Sequence, residues 1–227
     1  MKDILLPFIK SENVDNFEDF HRVLVDNSKK FNLTSILDEE EVYVKHFIDS
    51  LYAKDLISQN AKIVEVGSGG GFPSVPLKLE RDDIDFTLIE ATEKKCAYLK
   101  EVGNRFNFKN FTVVNGRCEE LGKNPAFREK YDFAIARAVA PLNILVEYLT
   151  PFIKVNGKAL CLKGSSYEEE LKKAENALSV LGCKVSCVKE YELPKNYGKR
   201  AIVVIEKIKP TCDKYPRQQA KIKKAPL

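Results

Sequence analysis

Apolar residues recur at helical spacing across residues 14–31, at Val14, Phe17, Phe20, Val23, Leu24 and Phe31. That period predicts a helix with one buried face. Asn32-Leu33-Thr34 reads as a turn, and Asp38-Glu39-Glu40-Glu41 opens a second helix with acids in its first turn, where the helix dipole favours them. Its apolar face carries Val42, Val44, Phe47, Ile48, Leu51 and Tyr52, and Lys45, His46, Asp49 and Ser50 gather on the other side. From residue 61 the pattern changes. Short apolar runs at 62–66, 85–89, 111–115, 131–136, 157–163, 183–190 and 200–207 alternate with helical stretches near 74–80, 93–106, 141–153 and 167–181. Such alternation predicts an α/β fold around a largely parallel sheet. The last two runs are joined by residues 193–198, too short for a crossover helix, and so predict an antiparallel hairpin. We divide the chain into an N-terminal helical extension (1–58), an α/β core (59–209) and a basic tail (210–227) without internal periodicity.

The first strand runs into Val66-Gly-Ser-Gly-Gly-Gly-Phe-Pro73. A strand, a glycine turn and a helix start form the unit at which open parallel sheets bind nucleotides. The dinucleotide fingerprint needs a third glycine where this chain has Phe72, and no Walker-type phosphate loop is present. What remains is acid-x-Gly-x-Gly, with Glu65 before the turn, which resembles the S-adenosylmethionine-dependent methyltransferases. Twenty-three residues after Gly67, Glu90 closes the second strand, where a carboxylate suits two ribose hydroxyls.

Composition alters this picture in two places. The chain has 44% hydrophobic and 31% charged residues in 227 positions, ordinary for a globular protein. No apolar leader and no apolar run of about 18 residues occurs, which argues against secretion and a membrane span. Six scattered cysteines and two histidines make a poor metal site, so no metal is expected. Charge is unevenly spread. The net charge is +4, but residues 207–227 hold seven Lys or Arg against one Asp, +6, leaving −2 for the rest. A basic strip beside a nucleotide site points to a polyanionic partner.

The loops after the third and fourth strands bear on chemistry. Asn115-Gly-Arg-Cys-Glu-Glu120 stands where the resembling fold meets adenine, through the backbone near Cys118 or a carboxylate such as Glu119. Ala134-Ile-Ala-Arg-Ala-Val-Ala-Pro141 stands where substrate-facing residues fall. The chain lacks the Asn/Asp-Pro-Pro-aromatic loop of amino-directed enzymes. It also lacks the Pro-Cys that supplies a nucleophile in pyrimidine C5 chemistry. A substrate atom already nucleophilic at neutral pH remains, and guanine N7 has an in-plane lone pair and needs no general base. Alignment then does the work, and Arg137 offers planar donors for guanine O6 or a phosphate.

Phe31-Asn-Leu-Thr34, Lys45-His46 with Asp49-Ser-Leu51, the glycine turn, Ile135-Ala-Arg-Ala-Val139, Leu162-Lys-Gly164, Lys199-Arg200 before Val203–Lys207, and Tyr215-Pro-Arg217 occur in one order. Together they resemble the bacterial small-subunit (16S) ribosomal RNA guanine-N7 methyltransferase G family, also known as the glucose-inhibited division protein B family. Ser74 stands where that family usually has Gly, and Glu65 where it often has Asp. The resemblance implies a seven-stranded Rossmann-like class I methyltransferase sheet with a C-terminal antiparallel hairpin. It implies S-adenosylmethionine as cofactor, a guanine of 16S ribosomal RNA or of the small subunit as substrate, and a cytoplasmic monomer. It places Gly67, Ser68, Gly69, Phe72, Glu90, Ala91, Thr92, Cys118, Glu119 and Arg137 at the cofactor, with Arg137 also positioning substrate. Lys45, His46, Lys163, Arg200 and Arg217 are expected at the RNA. We read Arg217, Lys221, Lys223 and Lys224 as phosphate contacts, so removing residues 213–227 is expected to weaken RNA binding and spare cofactor affinity. Two other readings compete: a small-molecule methyltransferase of the same fold, and a non-catalytic ribosome-associated nucleotide-binding protein.

Overall fold

A computed structural model describes residues 2–227. Before the sheet come α1 (Lys2–Leu5), α2 (Val14–Ser28), α3 (Glu39–Val42) and α4 (Asp49–Leu51), the last two joined by a wider π-helical stretch, Tyr43–Ile48. Asp38 caps α3, its carboxylate accepting from the Glu41 N–H at 3.0 Å. The strands are β1 (Lys62–Val66), β2 (Asp85–Glu90), β3 (Phe111–Asn115), β4 (Tyr131–Arg137), β5 (Ile153–Lys163), β6 (Cys183–Glu192) and β7 (Lys199–Lys207). They form one sheet in the order β3-β2-β1-β4-β5-β7-β6. The first five are parallel, and β7 inserts antiparallel between β5 and β6. The expected seven-stranded fold with its hairpin and N-terminal helices is therefore the observed one. Connecting helices are α5 (Ser74–Glu80), α6 (Glu93–Arg105), α7 (Cys118–Leu121), α8 (Leu142–Leu149) and α9 (Tyr167–Val180), with α10 (Gln219–Lys224) near the end of the chain. Among the described residues no helix is long and apolar enough to cross a membrane.

One expected boundary is corrected. The helix expected over 141–153 stops at Leu149: Thr150 still has helical φ/ψ and bonds back to Val146, but Pro151 after it has no N–H to continue the ladder. The strand then begins at Ile153 rather than 157, pairing Ile153 with Tyr131. Lys154, Val155 and Asn156 are exposed, so this part of β5 shows no apolar run.

The N-terminal helices pack on the sheet through a cluster of aromatic rings. Phe17, Phe20 and Phe47 are fully buried, each worth roughly 2 kcal/mol by area. Phe20 stacks on Phe47 at 5.3 Å and reaches Phe72 of the glycine turn at 5.6 Å between centroids. Phe72, which departs from the dinucleotide pattern, is thus part of the seat on which this extension docks.

The chain beyond residue 210 returns to the core. Arg128 donates to the carbonyls of Gly122, Thr211 and Tyr215 at 2.9, 2.6 and 2.9 Å. Ile222 of α10 is fully buried, in the same core cluster as Leu145 and Tyr148 of α8. Arg217 grips Glu147 of α8. Its backbone N–H reaches Oε1 at 2.8 Å and its Nη2 reaches Oε2 at 2.6 Å, with Glu147 wholly buried. Removing one partner of such a pair strands the other charge, at a cost of about 3–5 kcal/mol. Arg217→Ala should lower stability by about that amount in urea denaturation. A variant that unfolds at the wild-type midpoint would show that the pair contributes nothing net.

Candidate active site

The strand order reverses between β1 and β4, and in open α/β sheets ligands bind at that switch point, beyond the carboxyl ends of the strands. β1 runs there into Gly67, at φ +71° with its N–H donating to the Ile89 carbonyl at 2.9 Å. A Cβ at this position would lie 2.9 Å from Val139 Cγ2, so only glycine lets the turn and the loop after β4 approach so closely. Glu90 ties the turn to β2. Its Oε2 accepts from the Gly69 N–H at 3.0 Å and its Oε1 from the Thr92 N–H at 2.8 Å. Each carboxylate oxygen keeps a further lone pair. Among the described residues Glu90 has no ion-pair partner.

A cleft of about 340 Å³ opens beside Glu90. Gly67, Glu90, Ala91, Cys118 and Glu119 line one side, and Ile144, Tyr148, Gln219 and Lys223 the other. Its floor is apolar, from Val66 and Ile89. The volume falls in the range of small-ligand sites. A carboxylate with spare acceptor sites over an apolar floor fits a nucleoside diol, and no phosphate-loop lysine is present. These residues fit S-adenosylmethionine. Burial pushes the Cys118 thiol far up, so it stays protonated and is no nucleophile.

Glu65, fully buried under the turn, accepts from the Ser74 N–H at 3.4 Å. Its Oε2 and the Ser68 and Ser74 hydroxyls lack partners of good geometry among the described residues. Burial pushes its carboxyl up to about 7, with the two nearby serines and Arg137 opposing.

A second cleft, of about 490 Å³, lies on the far side of Val139-Ala-Pro141, and those three residues line both. Lys45, His46, Asp49, Arg137, Lys163 and Arg200 supply its polar wall. Arg137 ends β4 and is mostly engaged. Its Nη1 donates to the Lys45 carbonyl at 2.7 Å and to Asp49 at 3.0 Å, and its Nη2 lies 3.0 Å from His46 Nδ1. A guanidinium only donates, so Nδ1 accepts and the ring proton sits on Nε2, facing Thr34 Oγ1 at 2.8 Å. Burial, then Arg137, hold the His46 imidazole down to about 3, so it is neutral. The ring lies over Phe72 at 4.5 Å, and Arg137 stands 5.0 Å from that same ring. Tyr191 completes the set with a 2.8 Å bond to Asp49.

The residues expected from sequence therefore divide. Gly67, Glu90, Ala91, Cys118 and Glu119 line the first cleft, whereas Ser68, Gly69, Phe72 and Thr92 build the turn and its surroundings. Arg137 lines the second. Lys45 pairs with Glu41 at 2.6 Å, and Lys163 with Glu170 at 2.7 Å and the Ala140 carbonyl. Arg217 is held by Glu147 and lines neither cleft. Arg200 has no carboxylate partner among the described residues and bonds only the Lys199 carbonyl. Tyr148 and Gln219 were not foreseen, and Lys223, read from sequence as a phosphate contact, lines the first cleft. Tyr148 reads as a core aromatic of its helix, and a single isoleucine among lysines gives the tail no period to detect.

A switch-point cleft with a glycine turn and a ribose-type carboxylate, on this strand order, defines a class I S-adenosylmethionine-dependent methyltransferase. The solved structure of M. jannaschii TYW2 in complex with AdoMet is similar in fold, with TM-score 0.55 and 16% identity over 72% of this chain and 76% of that one. Residues 13–203 match the family described as rRNA small subunit methyltransferase G. The Ribosomal RNA small subunit methyltransferase G of Leuconostoc citreum is 41% identical over 96% of this chain and 93% of its own. That of Carboxydothermus hydrogenoformans is 40% identical over 96% and 94%. This chain belongs to the rRNA small subunit methyltransferase G family, and its cofactor is S-adenosylmethionine.

Two outcomes follow from the first cleft. Glu90→Gln should weaken binding of S-adenosylhomocysteine more than tenfold by calorimetry, because charge-assisted bonds are roughly twice as strong as neutral ones. Unchanged affinity in a folded variant would place the ribose elsewhere. Glu65 has a folded pKa of about 7 against an ordinary 4.5, so the folded protein keeps this proton longer than the unfolded chain. Stability from this group is complete below pH 4.5 and is lost as pH rises toward about 7, by roughly 3 kcal/mol. Relative to wild type, Glu65→Gln should gain stability across that window and level off above it. Parallel denaturation curves at every pH would rule this out.

Proposed function

We propose that this enzyme methylates N7 of a guanine in 16S ribosomal RNA, in the cytoplasm where small subunits are assembled. One observation carries the reading: each acid or base that lines the second cleft is already engaged by a neighbouring group of the protein. His46 is neutral, with both ring nitrogens committed to Arg137 and Thr34. Asp49 is ion-paired with Arg137 and accepts from Tyr191, and Glu170 accepts from Lys163 and the Leu142 N–H. An exocyclic amine or a ribose hydroxyl would have to lose a proton here, whereas guanine N7 attacks with a lone pair it already has.

Gly67, Glu90 and Ala91 would hold S-adenosylmethionine, whose sulfonium would supply an electrophilic methyl. N7 would take it with its own lone pair, the C–S electron pair staying on sulfur as a neutral thioether and the positive charge passing to the purine. What the chain contributes is alignment. Val139-Ala-Pro141 forms the boundary that substrate must meet. Ala138 just before it sits at φ +56°, a conformation costly for a residue with a Cβ and held by its surroundings. Arg137 has committed three of its five N–H donors to Lys45, Asp49 and His46. It acts as a positioning residue that fixes this loop, with two donors left for the base or its phosphate. Arg200 and Lys45, at the rim, meet the RNA backbone.

Mass-mapping of 16S ribosomal RNA from cells with and without the gene should show one 7-methylguanosine lost on deletion. In single-turnover assays on purified small subunits, Arg200→Ala should raise the RNA concentration needed for half-maximal rate. It should also reduce the salt slope by about one. An intact modification map would overturn the assignment, and an unchanged slope would move the RNA surface away from Arg200.

A further inference from the structure

The cofactor cleft is finished by the end of the chain. Gln219 and Lys223, both on α10, line it together with Glu90. Tyr148 lies between α10 and the loop after β3. It is 4% exposed, and its hydroxyl, beside the Gln219 side chain, has no partner of good hydrogen-bond geometry among the described residues. An unpaired buried hydroxyl costs about 1–3 kcal/mol, a cost that a ligand atom can remove. Cys118 and the Glu119 carboxylate lie near this hydroxyl, in the same cleft as the Gln219 side chain. All four groups line one cleft, at its end beyond β3 rather than at the glycine turn beyond β1. Tyr148 also adjoins Glu147, the residue that Arg217 grips, so the contact securing the C-terminal segment sits one residue from the orphaned hydroxyl.

We propose that residues 211–227 are a wall of the cofactor site, in which the Tyr148 hydroxyl and the Gln219 amide bind the adenine edge. This rests on the placement of S-adenosylmethionine in the cleft beside Glu90. It reverses the expectation that removing the tail spares cofactor affinity. An amide and a hydroxyl together offer both donors and acceptors, matching a purine edge that carries a ring nitrogen and an exocyclic amine. The wall is held by side chains rather than by sheet pairing: the Arg217–Glu147 pair, Arg128 on three carbonyls and the buried Ile222. Ligand binding and closure of this segment are therefore coupled, because whatever fills the cleft also satisfies Tyr148.

The test uses the full-length protein and S-adenosylhomocysteine as the calorimetric probe. Tyr148→Phe and Gln219→Ala should each weaken binding about fivefold, the effect of one lost hydrogen bond. Ile222→Asp, which detaches α10, should weaken it more than tenfold. The inosine analogue, with oxygen in place of the exocyclic amine, should bind wild type less well than the adenosine compound, and that preference should shrink in Gln219→Ala. Hydrogen exchange should show amides of residues 217–224 slowed by the adenosine compound. Glu90→Gln separates the possible failures. If Glu90→Gln loses affinity while both point variants bind as wild type, the C-terminal wall is refuted and the cofactor placement stands. If Glu90→Gln also binds as wild type, the cofactor placement fails and the wall with it. Should Ile222→Asp not fold, the two point variants and the inosine preference decide.

Discussion

The pair between Arg137 and Asp49 joins the N-terminal helices to the carboxyl end of β4, and most of the substrate side depends on it. Both side chains are nearly buried, at 13% and 7% exposure, so neither charge tolerates loss of the other. The rest follows. Arg137 fixes the tautomer of His46, His46 lies on Phe72, and Phe72 reaches the aromatic cluster beneath α2. The loop that parts the two clefts begins at the very next residue. A helical extension that reads as an accessory in the sequence is thus bonded to the residue from which the partition springs.

This arrangement changes the meaning of arginine in the site. A guanidinium at the end of a strand, in a protein that acts on RNA, invites assignment to phosphate or base. Arg137 and Arg217 instead spend most of their donors on protein acceptors, Asp49 and Glu147. Arg200, without a carboxylate partner among the described residues, remains the cation most available to a polyanion. Charge held in place shapes the cleft, and charge left free attracts the substrate.

The sheet was readable because each strand is a short apolar run bounded by residues that break it, and because the 193–198 connection admits only a hairpin. The glycine turn and Glu90 were readable for a similar reason, since both are local in sequence. What was hidden is what depends on distant partners. Asp49 and Arg137 are separated by 88 positions and Arg217 and Glu147 by 70, and nothing in either neighbourhood marks the pairing. The start of β5 was missed because its exposed residues carry no apolar run. The C-terminal wall was missed because one buried isoleucine among lysines looks like a solvated tail.

Val139-Ala-Pro141 has a bearing on the rhythm of the enzyme. The two clefts share this partition, one reaching α10 and the other the Tyr43–Ile48 stretch and Arg200. On the proposed function, spent nucleoside would leave by one cleft and methylated RNA by the other, so the methyl donor could be renewed while the RNA stays seated.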